Sequence, residues 1–405
     1  MSHPELQRHL GTGDAVLIGL GSMIGAGVFV VFGPAAAAAG PALLIALAAA
    51  AAVAYCNATS SARLAAIYPR SGGTYLYGRE RLGEFWGYLA GWGFVVGKTA
   101  SCAAMALTVG LYTWPEHAHA VAVASVAMLT AVNYRGIGKS AVATRLIVGV
   151  VLAVVAGAVA TALFSDRADP ARITLGGGTV VGVLQAAGLL FFAFAGYARI
   201  ATLGEEVRDP VRVIPRAIRI ALAVTLAVYT IVAVTLIAIL GPGLSTATAP
   251  LADAVRVAGA AGFEPVVRIG AAAAALGALL SLILGVSRTG LAMARDGHLP
   301  AALAVVHSRY RVPHRAEMAV GVVIAAIAAV ADVRAVIGFS SFAVLMYYAI
   351  TNAAALTVPG ARQAIPVLGL LGCLALAVSL PMSSAVAGAG VMAVGALIYA
   401  VTRSR

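Results

Sequence analysis

The sequence is poor in charged residues. Only 10% of its 405 residues are Asp, Glu, Lys or Arg, whereas 61% are hydrophobic. A water-soluble domain of this size needs far more polar surface. The low charge therefore excludes a soluble globular protein and indicates that lipid covers most of the surface.

Cysteines and catalytic motifs are also scarce. The three cysteines (Cys56, Cys102 and Cys373) lie in apolar runs at irregular spacing, which argues against disulfides and a zinc cluster. All seven histidines lie in predicted termini or loops, and the sequence contains no HExxH, GxSxG or P-loop motif. We therefore expect no enzyme, no bound metal and no cofactor.

Long apolar runs are abundant. A membrane-spanning helix needs about 20 mostly apolar residues, and the chain has room for about twelve spans with short connections. The sequence therefore predicts an all-α polytopic membrane protein that follows a polar N-terminal segment, 1–13. The predicted spans are 14–36, 41–66, 84–112, 119–134, 141–164, 180–204, 213–240, 265–293, 316–330, 333–357, 364–380 and 383–402.

The cations lie between these spans and not on one basic face, so the net charge of +12 does not indicate a nucleic-acid partner. With the N-terminus inside, 20 of the 27 Lys and Arg residues lie on the cytoplasmic side and 5 outside. Lys98 and Arg199 fall within spans. This bias predicts a protein of the cell membrane with both termini in the cytoplasm.

Two spans contain helix-breaking patterns. Four glycines occur within nine residues at 19–27, and each costs a helix about 1 kcal/mol relative to alanine. The second pattern, 191–197, lies in the sixth span. An offset of five spans reverses the direction of a helix, which is typical of an inverted repeat. We expect repeats at 14–164 and 180–357, followed by two further helices at 364–402. Close helix packing is the alternative explanation of the glycines.

Interrupted helices expose backbone groups that bind charged ligands. Free N–H groups at the start of a half-helix attract a carboxylate, and free C=O groups accept an ammonium. A site with both suits an α-amino acid. We therefore predict unwound segments at Ser22–Gly27 and Phe192–Gly196.

Four segments resemble the amino acid–polyamine–organocation superfamily of permeases, which has the leucine-transporter fold. The first is Gly21–Phe29, and the second is Tyr68–Tyr75. The third runs from Phe191 to Gly196 and continues at Glu205–Pro210. The fourth is Ser287-Arg288 with Ala292–Gly297. Their order and spacing extend the resemblance over nearly the whole chain.

This resemblance implies where a substrate binds. Its carboxylate would meet the amides of Gly25, Ala26 and Gly27, and its ammonium would meet carbonyls near Met23, Phe192 and Ala195. Phe192 resembles the aromatic residue that covers the site, although a core aromatic is the alternative. The predicted substrate-binding set comprises Met23, Ile24, Gly25, Ala26, Gly27, Lys98, Cys102, Phe192, Ala195, Gly196 and Leu282.

Several residues depart from relatives in this superfamily. Some proton-coupled relatives have a lysine in their fifth membrane-spanning helix. The fifth predicted span of this chain, 141–164, has no lysine. Sodium-coupled relatives have hydroxyl side chains in their eighth membrane-spanning helix. At the corresponding place in the eighth predicted span, this chain has Leu282-Ile283 with Ser281 nearby. A relative that exchanges arginine has a tryptophan near 282 and an acid near 198, where this chain has Leu282 and Ala198. These differences favour an uncharged substrate and argue against sodium coupling.

Lys98 lies near the middle of the third span, where a cation costs at least about 2.5 kcal/mol. We predict that it couples transport to protons. The family resemblance implies that this part of the third span lines the substrate pocket, and Cys102 shares that face of the helix one turn later. A structural lysine bonded to carbonyls at the helix breaks is the alternative. Arg199 is expected to close the cytoplasmic side against Asp14 or Glu206, or to anchor the helix end.

The sequence thus predicts a secondary active transporter for an uncharged α-amino acid, coupled to protons. An amino-acid or polyamine exchanger without ion coupling remains open, as does a nutrient receptor on the same fold. A channel is not expected, because the sequence shows no filter loop or charged ring.

Overall fold

The computed structural model describes residues 10–68, 72–136, 141–201, 207–359 and 363–403, with the backbone alone for 141–144. These residues form α-helices joined by short 3₁₀ segments, and the β-type pairing found among them is an isolated bridge between Leu10 and Val207.

The helices follow the predicted spans closely. They are α1 Thr12–Met23, α2 Gly27–Val30, α3 Phe32–Ala39, α4 Leu43–Ile67, α5 Thr74–Leu82, α6 Glu84–Thr113, α7 Ala118–Tyr134, α8 Ala141–Leu163, α9 Val180–Phe194, α10 Ala198–Ala201, α11 Pro210–Leu240, α12 Pro250–Val257, α13 Glu264–Arg295, α14 His314–Val330, α15 Val333–Leu356, α16 Ala364–Ser379 and α17 Met382–Arg403.

Nine helical segments among the described residues are long and apolar enough to cross a membrane. The polytopic all-α class is therefore confirmed. Three predicted spans are short helices: α7 and α14 have 17 residues each, and α16 has 16. At 1.5 Å per residue, a 17-residue helix is about 25 Å long, compared with about 30 Å for the hydrocarbon core.

Local capping explains where two helices begin. Thr179 caps α9, because its hydroxyl accepts a hydrogen bond from the Gly182 amide at 3.0 Å. α11 begins three residues before the predicted start of its span, where Asp209 caps it by accepting from the Arg212 amide at 3.4 Å. Pro210 then occupies the first helical position, where a missing N–H group costs nothing.

The first predicted interruption is present but shorter than expected. α1 continues to Met23, the backbone of Ile24–Ala26 is not helical, and α2 begins at Gly27. The amide of Ile24 still donates to the Leu20 carbonyl at 2.7 Å. Ser22 and Met23 therefore belong to the helix, and the prediction of unwinding from Ser22 was wrong at that end.

The second interruption differs in position and in kind. Phe192 and Phe194 are helical, so the predicted unwinding from Phe192 was wrong. The chain instead tightens into a 3₁₀ turn at Ala195–Tyr197 before α10. Residues 202–206, including Glu205 and Glu206 of the third family segment, lie outside the described residues. A 3₁₀ turn changes which backbone groups are paired by hydrogen bonds, but it does not produce an unwound segment.

The two interruptions touch through their backbones. A Cβ atom placed on Gly196 would lie 2.4 Å from the Ser22 carbonyl oxygen and 2.8 Å from the Met23 nitrogen. Contacts this short are available only to glycine, because the neighbouring atoms are backbone and cannot rotate away. Gly196 therefore fixes how closely the sixth predicted span approaches the first.

Two of the family segments meet at the predicted cytoplasmic end. Tyr75 of α5 donates its hydroxyl proton to Asp296 at 2.5 Å, and Arg79 donates to the same carboxylate at 2.6 Å. His298 lies 2.8 Å from the Tyr75 hydroxyl, and burial lowers the pKa of this histidine. These contacts join α5 to the end of α13.

We predict that Gly196→Ala destabilises the protein by about 1–3 kcal/mol, because the new methyl group forces two backbones apart. Thermal unfolding of the purified protein in detergent measures this change. Gly285→Ala is the matched control, since a Cβ atom there meets nothing within 4 Å. Equal melting temperatures for the two variants would show that the Gly196 contact is not tight.

Candidate functional site

The predicted site lies in the buried interior, where the two interruptions meet. Met23, Ile24 and Ala26 expose 1%, 3% and 0% of their surface. A Cβ atom on Gly27 would lie 2.7 Å from the Ala193 Cβ of α9, and one on Gly25 would lie 2.8 Å from the Ala278 Cβ of α13. The first interruption is therefore enclosed by both of these helices.

The chain after the first interruption presents the positive end of a helix. The Val31 amide donates to the Gly27 carbonyl and the Ala35 amide donates to the Val31 carbonyl, each at 3.1 Å, so α2 and α3 form a nearly continuous helix from Gly27 to Ala39. The first amides of a helix have no acceptor within it, and their partial positive charge favours an anion. These are the amides to which the family resemblance assigns the substrate carboxylate.

Lys98 reaches the second interruption. Its Nζ donates to the Ala195 carbonyl at 3.3 Å, and the Tyr348 hydroxyl donates to the same oxygen at 3.5 Å. Only 7% of Lys98 is exposed. The family resemblance assigns the Ala195 carbonyl to the substrate ammonium, so the protein's own ammonium takes that acceptor in this structure. This bond is the one named in the structural alternative for Lys98.

Tyr229 of α11 also contacts both interruptions. Its hydroxyl lies 2.5 Å from the Met23 carbonyl oxygen and 3.2 Å from the Ala193 carbonyl oxygen, and the residue is fully buried. The hydroxyl has one proton, so it can donate fully to one of these oxygens at a time. Our sequence reasoning missed this residue. The available signal was a tyrosine in an aliphatic span, whose hydroxyl must find a partner when buried.

The remaining predicted residues lie around this junction. Cys102 is fully buried one helical turn beyond Lys98 on α6, and Phe192 is 8% exposed. On α13, Ala278 contacts the first interruption, and Leu282 follows one turn later on the same side of the helix. Phe191 packs edge-on against Tyr348 with ring centroids 5.8 Å apart. Aromatic rings thus surround the second interruption.

Asp14, one predicted partner of Arg199, forms an ion pair with Arg145 at the start of α8 and also accepts from the Gly11 amide at 3.2 Å. Glu206, the other predicted partner, lies outside the described residues. Arg199 itself lies in α10, directly after the 3₁₀ turn. Its proposed gating role therefore stays a prediction.

Comparison with known proteins identifies the class. The sequence profile of the family described as "Amino acid permease" matches residues 14–400. A Mycobacterium tuberculosis protein named only as a transporter is 67% identical over an alignment of 405 positions. The alignment covers 98% of this chain and 92% of the relative. The branched-chain amino acid permease of Bacillus subtilis is 27% identical, covering 76% of this chain and 72% of the relative. Human cationic amino acid transporter 4 is 29% identical, covering 85% of this chain and 58% of the relative.

The fold and these similarities define a polytopic membrane transporter and not an enzyme. The chain belongs to the amino acid permease family. The resemblance inferred from the four sequence segments is therefore confirmed.

We predict that Tyr229→Phe lowers the free energy of unfolding by about 1–2 kcal/mol, because two buried carbonyls lose their shared donor. Tyr77→Phe is the control and should change stability by less than about 0.5 kcal/mol. The buried Tyr77 hydroxyl has no hydrogen-bond partner in the part of the chain that the structure describes. If both variants melt at the same temperature as the parent protein, the Tyr229 hydroxyl does not stabilise the contact between the two interruptions.

Proposed function

We propose that this protein is a secondary active transporter for an uncharged α-amino acid in the cell membrane, with both termini in the cytoplasm. The observation that supports this most directly is the junction of the two interruptions. The first amides of α2 and the carbonyls of Met23 and Ala195 all belong to this junction. Such a junction can bind a carboxylate and an ammonium on the same molecule.

The charge of Lys98 supports an uncharged side chain. Its ammonium is buried beside the second interruption, and burial strengthens its repulsion of a second positive charge. A cationic side chain would also need a carboxylate partner, and the sequence contains no acid near the middle of a predicted span. The named relatives include both a branched-chain amino acid permease and a cationic amino acid transporter, so their names alone do not choose between these substrates.

We further propose that 14–164 and 180–357 act as two inverted five-helix repeats, followed by the pair at 364–402. The interruptions after α1 and after α9 lie in corresponding spans of these repeats. Rocking of one group of helices against the other would expose the junction to each side of the membrane in turn.

Lys98 provides a route to proton coupling. The substrate ammonium and the Lys98 ammonium would both donate to the Ala195 carbonyl. Two cations at one acceptor repel each other, so substrate binding favours loss of a proton from Lys98 or its movement away. Release of that proton on one side of the membrane would couple a proton gradient to substrate movement.

The substrate prediction requires both backbone groups of the amino acid. In proteoliposomes, a radiolabel screen of the amino acids should identify an uncharged α-amino acid as the best substrate. Its decarboxylated amine should then be taken up at least tenfold more slowly, because the amides at the start of α2 lose their anion. Agmatine or arginine transported as fast as the best uncharged amino acid would overturn this proposal.

For the coupling prediction, we expect Lys98→Met to exchange internal for external substrate and to lose accumulation driven by a proton gradient. Lys98→Arg separates hydrogen bonding by residue 98 from proton release, because arginine donates a hydrogen bond but stays charged. We expect it to retain stability but not accumulation. Normal accumulation by a folded Lys98→Arg protein would show that Lys98 is structural. One-for-one exchange by the parent protein at every pH would identify an exchanger without ion coupling.

A further inference from the structure

Glu317 is a buried carboxyl group that the proposed transport mechanism does not use. It lies in the first turn of α14, and 0% of its surface is exposed. Neither of its carboxyl oxygens has a hydrogen-bond partner among the described residues. An ionised carboxylate in such a place is very costly, so the group must either be neutral or hold a cation.

The surroundings of Glu317 contain polar groups but little charge. Gly321, one turn along α14, packs against Thr130 of α7, and a Cβ atom there would lie 2.6 Å from the Thr130 hydroxyl oxygen. That hydroxyl is also buried without a partner among the described residues. Asn133, one turn further along α7, donates to the Leu280 carbonyl of α13 at 3.2 Å. Glu317 therefore lies in a helix that packs against both α7 and α13.

Two histidines lie between Glu317 and the exposed part of the loop before α14. His314 precedes Glu317 by three residues, so the two side chains lie on the same side of the helix. The Nδ1 of His314 is buried without a partner in the described structure, and the ring lies 5.2 Å from that of His307. His307 is partly exposed. A line of titratable groups thus runs from the buried carboxyl group to water.

The hydrogen bonds of His307 and the lowered pKa of His314 suit proton transfer. The Nδ1 of His307 accepts from the amides of Arg309 and Tyr310, at 3.1 and 3.3 Å, so the ring carries its proton on Nε2. Burial, His307 and Arg315 lower the pKa of His314. The lowered pKa favours the neutral ring of His314, which can accept a proton on one nitrogen while releasing one from the other.

Among the described residues, no titratable group on the elements packed against α14 forms a hydrogen bond with Glu317. Arg288 of α13 acts on the carboxyl group through its charge, but its side chain is exposed, and water weakens that effect. Tyr134 of α7 and Tyr310 of the loop pack on the histidine rings. On α6, which also contacts α14, Lys98 and Tyr112 bond to the Ala195 and Phe29 carbonyls, and Tyr88 and Cys102 are buried.

We propose that Glu317 is a proton-binding site and that it exchanges its proton with water through His314 and His307. In this conformation the carboxyl group is protonated. Movement between α7, α13 and α14 that admits water or brings Arg288 closer would release the proton. This inference would add a second protonation site to the proposed transport cycle, but the proton-binding claim itself does not depend on the identity of any substrate.

Infrared spectroscopy of the full-length protein in lipid tests the protonated carboxyl group directly. At neutral pH, we expect a protonated-carboxyl band that disappears in Glu317→Gln, whose amide has the shape of the neutral acid. Glu116→Gln is the control, because Glu116 is exposed next to the start of α7 and its removal should leave the band unchanged. A parent spectrum without this band would overturn the proposal. So would an ionised Glu317 in a protein whose melting temperature rises only when sodium is added.

The histidine route has a separate kinetic test. After a jump to alkaline pH, the Glu317 band should decay at least tenfold more slowly in His314→Gln than in the parent protein, with a similar final amplitude. His119→Gln is the control, because His119 lies at the other end of the contact between α7 and α14, 2.8 Å from the Ala328 carbonyl oxygen. Equal decay in all three proteins would overturn the route. Because neither experiment requires transport, failure of the proposed function leaves both results interpretable.

Discussion

The structure depends on the cost of leaving a backbone polar group without a partner in lipid. Each unsatisfied N–H or C=O group in the hydrocarbon region costs several kcal/mol, so a helix can be interrupted only where protein or a polar cavity surrounds it. Both interruptions here are buried at the centre of the helix bundle. Tyr229, Lys98 and Tyr348 supply donors to three of the carbonyls, those of Met23, Ala193 and Ala195.

Small residues make this arrangement possible. Gly25, Gly27 and Gly196 allow other helices or the backbone to approach within distances that a side chain would prevent. Larger residues would separate the interruptions and leave their polar groups exposed to lipid. The glycines are therefore needed for packing as well as for interrupting the helix, and the two explanations considered for the cluster at 19–27 are not exclusive.

Most of the helical architecture could be predicted from hydropathy and helix-breaking residues, because these signals are local. The first interruption was placed to within two residues, since Gly25 lies inside it and Gly27 directly follows it. The second was less predictable: Phe192 and Phe194 favour no break, and the 3₁₀ turn at Ala195–Tyr197 lies against a distant part of the chain. Lys98 was recognisable from its depth alone. The sequence also allows a bond from Lys98 to a carbonyl at the helix breaks, but it does not single out Ala195, which lies 97 positions away. The burial of Glu317 likewise requires the packing of α7 and α13 around α14.

The short helices α7 and α14 have a consequence for the surrounding membrane. They pack against each other, so their shortness affects one side of the protein and is not averaged around it. A bilayer that meets a helix shorter than its hydrocarbon thickness thins locally to match it, at a cost of a fraction of a kcal/mol per Å. We expect such thinning beside this pair. Headgroups and water would then approach the first turn of α14 more closely than at other helices, and a change in acyl-chain length would alter the hydration of that turn.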